Sequence, residues 1–226
     1  MPLQRRQMLS CLAATATAAL TACGGGGGDG GFDRPLTRFM WLLNINPEVA
    51  SADVRFGADT IATALRFPEL TARVEIEFGA YSFTVLNRAN NAAAIFDNVV
   101  VNGNSPELTV FYRKGNSVGL GASPLGIVNY FDSTETLVAE LDDGAGVVQV
   151  SRLAFEAAAP QVSRSPNCRL RLRRASDLVL VYDSGLRFRE DAILIFPADA
   201  TTGLVSAAGL SYDRSNAQLV VWPNIL

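Results

Sequence analysis

Arg73-Val74-Glu75-Ile76-Glu77-Phe78 alternates charged and apolar side chains without a break, and Tyr81-Ser82-Phe83-Thr84-Val85 resumes the alternation after Gly79-Ala80. Successive side chains of a strand point to opposite faces, so a period of two marks a strand with one face on a core and one in water. Outward from this pair, short apolar or alternating runs recur at Ile95 to Val101, Leu108 to Tyr112, Val147 to Phe155, Cys168 to Arg173, Leu178 to Tyr182 and Ala192 to Phe196. Turn-forming pairs separate many of them: Asn102-Gly103, Gly115-Asn116, Asp143-Gly144 and Ser184-Gly185. Apart from weak alanine-rich stretches near Ala92 and Ala157, no segment holds a helical period. Many short strands with turn signals between them predict an all-β chain built as antiparallel β-sandwiches.

The chain also repeats itself. Leu43-Asn44 is matched by Val128-Asn129, Phe83-Thr84-Val85 by Leu170-Arg171-Leu172, Phe96-Asp97 by Tyr182-Asp183, and Val110-Phe111 by Ile195-Phe196, at an offset of about 85 to 88 residues. That length suits one small sandwich. We therefore expect two tandem immunoglobulin-like domains, at 38–118 and 126–226, with Gly119 to Gly126 as the junction.

The N-terminus reads differently. Arg5 and Arg6 precede an apolar run from Met8 to Leu20 that is too short to stay as a membrane span, which needs about 20 apolar residues. Leu20-Thr21-Ala22-Cys23 resembles the lipobox of bacterial lipoproteins, in which cleavage before the cysteine leaves a thiol that carries a lipid. The resemblance implies a signal peptide at 1–22 and a lipidated Cys23 opening a linker at 23–37. Arg5-Arg6-Gln7-Met8-Leu9 also resembles a twin-arginine export motif, so both general secretion and the folded-export route stay open. Gly24 after the cysteine resembles the pattern sorted to the outer membrane in enteric bacteria. The glycine-rich linker has the composition of a flexible coil, with a reach of ~20 Å for a dozen residues. The expected location is the cell envelope, with the membrane met through the lipid.

Cleavage removes two arginines and no acids, so the mature formal charge is 17 minus 22, or −5, which argues against a nucleic-acid partner. It also removes Cys11, leaving Cys23 and Cys168. With Cys23 acylated, no internal disulfide can form. Alternation puts Cys168 on the same strand face as Leu170 and Leu172, as a buried and inert thiol.

The first half resembles a family of envelope proteins, the domain of unknown function numbered 4397. The resemblance rests on Leu43-Asn44-Ile45-Asn46-Pro47, the Asp53-Val54 step, and the turn and strand Phe78-Gly79-Ala80-Tyr81-Ser82-Phe83-Thr84-Val85. It implies an immunoglobulin-like sandwich and an envelope location, and it supplies no reaction.

The chain contains no histidine, which removes Ser-His-Asp and Cys-His catalysis and the commonest zinc sites. Carboxylates remain. Glu75 and Glu77 share a strand face at a spacing of roughly 7 Å that an acid and base pair could use in glycoside hydrolysis, and Asp142-Asp143-Gly144 with Asp132 and Glu135 could offer oxygen ligands to calcium. Mixed charge on a solvated face and an Asp-Gly turn account for both more simply, so we assign no catalytic residue, metal or cofactor. The best contact candidate is the arginine stripe Arg169, Arg171 and Arg173, extended by Arg174 and Arg164, which could meet an anionic envelope partner through bidentate hydrogen bonds. The leading expectation is a non-enzymatic envelope lipoprotein that presents its sandwiches to a protein or polysaccharide. A carboxylate-dependent envelope glycan hydrolase and a periplasmic protein binding ions or small ligands are the alternatives.

Overall fold

The computed structural model describes residues 35 to 226, apart from 123, 145, 147, 162 to 164 and 213 to 214. The twin arginines, Cys23, the glycine run and Arg164 lie outside the described residues. Among those described there is no helix, and strands make up most of the chain, as the alternating runs predict.

The first half contains β1 (Thr37–Asn44), β2 (Ser51–Phe56), β3 (Asp59–Arg66), β4 (Glu69–Leu70), β5 (Val74–Glu77), β6 (Gly79–Asn87), β7 (Ala93–Val101), β8 (Leu108–Lys114) and β9 (Ser117–Ala122). They form an outer sheet in the order β3-β2-β6-β7 and an inner sheet in the order β4-β1-β8-β9, with β5 also paired to β1. The second half contains β10 (Gly126–Asn129), β11 (Leu137–Asp142), β12 (Val148–Leu153), β13 (Ala158–Ala159), β14 (Asn167–Arg174), β15 (Leu180–Asp183), β16 (Arg187–Phe188), β17 (Ala192–Pro197), β18 (Val205–Tyr212) and β19 (Ala217–Trp222). Its inner sheet runs β13-β10-β17-β18-β19 and its outer sheet β12-β11-β14-β15, with β16 on β14. Pairing is antiparallel except between β1 and β8 and between β10 and β17, which are parallel. The expected junction is largely strand: Gly119 to Ala122 lie in β9 and Gly126 opens β10. The alanine-rich stretches near Ala92 and Ala157 lead into β7 and β13 rather than helices.

Three cores separate the four layers. Met40 and Leu42 of β1 face Val54, Phe56, Phe83 and Val85 of the first outer sheet. Trp41 and Leu43, on the opposite face of the same strand, pack with Val110 of β8 against Val128, Leu194 and Ala208 of the second half. Beyond them, Ile127, Ile193 and Ile195 face Ala139, Leu141, Leu170 and Leu172 of the second outer sheet. The two inner sheets are thus buried on both faces, which is why Met40-Trp41-Leu42-Leu43 and Ile193-Leu194-Ile195-Phe196 are unbroken apolar runs. Outer strands keep water on one side and alternate. In β14, Cys168, Leu170 and Leu172 are fully buried, and Arg169, Arg171 and Arg173 point outward.

Leu43-Asn44 and Val128-Asn129 occupy matching places. Each asparagine is fully buried at the end of a strand that pairs in parallel with the strand entering from later in its half. Asn44 donates through Nδ2 to the Val49 carbonyl at 2.8 Å and accepts from the Asn46 amide at 2.9 Å. Asn129 donates to the carbonyls of Leu153 and Ala154, both at 3.1 Å, and accepts from the Phe131 amide at 3.0 Å. A side-chain amide at the strand end thereby satisfies loop backbone that would otherwise be buried without partners. The register also refines one parallel: Val110 pairs with Leu43 and Leu194 with Val128, so Val110 matches Leu194, one residue before Ile195.

Asn129→Ala removes three hydrogen bonds at about 1 kcal/mol each, so we expect a loss of about 3 kcal/mol in urea denaturation.

Candidate functional site

The arginine stripe lies on the outward face of β14, between β11 and β15. Its neighbours on that face are acids. Arg169 meets Asp183 in a two-pronged contact, Nε to Oδ1 at 2.8 Å and a terminal nitrogen to Oδ2 at 2.5 Å. Arg171 lies between Asp183 at 3.7 Å and Asp142 at 3.9 Å. Arg173 reaches Glu140 at 3.0 Å and donates to the Leu178 carbonyl at 3.1 Å. Arg174 falls on the opposite alternation of the strand, level with Leu137, and pairs at the strand end with Asp177 at 2.7 Å. Four guanidiniums therefore stand against four carboxylates, and the cluster carries no net charge. An anionic partner would meet groups that are already paired. Asp183 has only 5% of its side chain exposed; the hydrogen bond from Arg169, then that from the Gly185 amide, hold its carboxyl below the usual range against the opposing effect of burial.

The other carboxylates singled out in the sequence are not brought together. Glu75 and Glu77 are exposed on β5, and Glu75 accepts a hydrogen bond from the Thr37 hydroxyl at 2.6 Å. Asp142 accepts from the Gly144 amide at 2.8 Å in the turn, Asp132 accepts from the Gly115 amide, and Glu135 accepts from Ser176. No three acids or cysteines among the described residues are grouped to hold a metal ion. Cys168 is buried and free, and burial pushes its thiol up to about 11, so it is a poor nucleophile at neutral pH.

Two groupings were not visible in the sequence. The first spans the seam between the halves. The rings of Tyr112 and Tyr130 lie 4.5 Å apart, the Tyr112 hydroxyl donates to Glu156, and Lys114 donates to the same carboxylate at 2.8 Å. Burial, then proximity to Glu156, pushes the Tyr130 hydroxyl up to about 12; burial and the Glu156 hydrogen bond raise Tyr112 as well. Gly119 is required beside this pair, since a Cβ there would stand 2.5 Å from the Tyr112 ring. The grouping is a lock rather than a reactive site, because its one carboxylate is held by a lysine and a tyrosine.

The second is a cleft of about 440 Å3 in the first half. It opens where β7 and β9, the edge strands of the outer and inner sheets, come together beside the loop after β1. Val85, Phe96 and Val118 give it an apolar floor, and Asn46, Asn90 and Asn116 a polar rim. Its carboxylate, Glu48, pairs with Arg113 at 3.4 Å. Contact between strands and loops far apart in sequence makes this site, and of its lining the sequence had marked Asn116, in the Gly115-Asn116 turn.

No protein-family model matches the chain, and no curated protein matches it.

Asp183→Asn removes the charge that holds Arg169 and should cost about 1–3 kcal/mol at neutral pH. A lowered carboxyl pKa stabilises the fold above the unfolded value of 3.8 and stops doing so as pH falls below it. Acid denaturation of the variant should therefore show a shallower decline below about pH 4 than wild type. The tyrosines act with the opposite sign: protons held more tightly in the folded state stabilise it fully below pH 10, and the contribution fades as pH rises toward 12. Thermal melts should be unaffected by these groups up to about pH 10 and fall between pH 10 and 12, and Tyr112→Phe should weaken the fall.

Proposed function

We propose that this chain is a non-enzymatic lipoprotein of the bacterial envelope, anchored at the outer membrane through Cys23. On this reading the glycine-rich segment is a spacer, and the body from Pro35 onward comprises two immunoglobulin-like modules in tandem that offer their surfaces to an envelope protein or glycan. The resemblance of the first half to the domain of unknown function 4397 fits the same reading.

The observation that carries the proposal is the contrast between the two cysteines left after cleavage. Cys168 is fully buried with a raised pKa, so it is a poor candidate for acylation. Cys23 follows Leu20-Thr21-Ala22 and precedes five glycines, the setting an acyl-transfer enzyme reads. A non-enzymatic role is supported by the engagement of the acids on β11 and β15 in ion pairs with the arginines of β14, which leaves them ill-suited to proton transfer. The alternating charges around Arg169, Arg171, Arg173 and Arg174 favour a protein partner with its own mixed charge over a uniformly anionic polysaccharide.

Palmitate labelling in the native host tests the anchor. Label should enter wild type and Cys168→Ala and be absent from Cys23→Ala; label that persists in Cys23→Ala, or never enters wild type, rejects it.

A further inference from the structure

The cleft between β7 and β9 holds a polar group whose bonding is incomplete. Asn46 is 1% exposed and lines the cleft. Its Oδ1 accepts from the Glu48 amide at 3.1 Å, which fixes which end of the side chain is which, and its Nδ2 has no hydrogen-bond partner among the described residues. Neighbouring amides are differently placed. Asn87 is satisfied at both ends, by the Glu48 carbonyl at 3.0 Å and the Ala89 amide at 2.9 Å. Among the described residues the side-chain polar atoms sealed off without a partner are Arg38 Nε and Arg187 Nε, so the Asn46 donor opens to the cleft, where a solvent molecule or an acceptor on a bound small molecule completes it.

The surrounding chemistry narrows the class. Glu48 is already paired with Arg113, so neither an anion nor a cation finds an uncommitted opposite charge on the polar rim. Asn90 and Asn116 add neutral amides at the exposed edge. Phe96 presents a partly exposed ring on the floor, supported from below by Phe83 at 6.0 Å between centroids, with Val118 beside it. An uncharged rim over an aromatic and aliphatic floor matches a molecule with hydroxyls around its edge and C–H groups on its face.

We infer that this cleft binds a neutral saccharide, one or two rings in size, with a sugar hydroxyl accepting from Asn46 Nδ2 and the C–H face of a ring against Phe96. The inference rests on the reading of the first half as an interaction module and gives that module a ligand class. It does not depend on the anchor.

The test uses the full lipidated chain, 15N-labelled, in a detergent without sugar head groups, titrated with cellobiose, maltose and N,N′-diacetylchitobiose. At least one should shift the Asn46 side-chain amide resonance saturably. Asn46→Asp keeps the oxygen that accepts from Glu48 and removes the donor, and should weaken binding at least tenfold. Ala92→Trp, at an exposed position on the rim, should abolish binding without touching the core, and so remains informative if Asn46→Asp does not fold. No saturable shift with any of the three sugars overturns the inference, as does binding that survives Ala92→Trp. A neutral extended peptide that binds instead, moving the backbone resonances of β7 and β9, also overturns it. Sugar binding by a chain that takes no palmitate would reject the anchor alone, and palmitate labelling without sugar binding would reject the saccharide alone.

Discussion

The structure depends on burying both faces of its two inner sheets. Trp41 and Leu43 have no solvent side to turn to, because Met40 and Leu42 already occupy the other core. A sandwich normally leaves the outer face of each sheet in water, with the inner faces supplying the core. In this chain the first inner sheet meets the second across Val110, Val128, Leu194 and Ala208, and Pro35 to Leu226 holds together as one compact unit. Cutting the chain at residue 123 would give each half an exposed apolar face of the kind that drives association. The tyrosine pair at the edge of this seam belongs to the same constraint: Gly119 and Gly121 lack side chains where Tyr112 and Tyr130 lie against β9.

That constraint also decides what was legible in the sequence. Strands with one wet face alternate, so β5, beside β1, and the outer strands β6 and β14 could be read directly, down to the burial of Cys168, Leu170 and Leu172. Inner strands are apolar on both sides, and a run such as Met40-Trp41-Leu42-Leu43 says that a strand is buried without saying against what. The stacking of four layers and the parallel pairing of β1 with β8 arise from contacts between distant segments. Gly115-Asn116 was a true two-residue hairpin between Lys114 and Ser117, with Gly115 at φ +59°. Asn102-Gly103 carried the same signal, yet it lies in a connection between β7 and β8, which belong to different sheets. Local turn chemistry reports that the chain reverses, and leaves open whether its flanks pair.

The candidate site shows the same limit at the level of side chains. Alternation correctly put Arg169, Arg171 and Arg173 on one face. It could not show that Glu140 lies on the next strand 33 residues earlier, or that Asp183 returns from β15 to meet Arg169. Net charge on a sheet face is a property of neighbouring strands, so a stripe that is strongly basic along one strand becomes neutral once β11 and β15 flank it. Arg174 left the stripe for a simpler reason, since it follows Arg173 directly and adjacent strand residues point apart.

The asparagines near the end of β1 show how one local pattern yields two outcomes. Asn44 and Asn46 are both buried, and both use Oδ1 to hold a backbone amide two residues away in sequence. Asn44 sits between loops that approach closely, and carbonyls from Val49 and Leu65 reach its Nδ2. Asn46 lies one pleat farther on, where the edge strands β7 and β9 leave space instead of backbone. The packing that completes one amide therefore withholds a partner from the other. In the second half the matching loop supplies Phe131 where the first supplies Asn46, and its ring packs against the core. A side-chain amide that holds its turn through Oδ1 while its Nδ2 faces open space is thus peculiar to the first half.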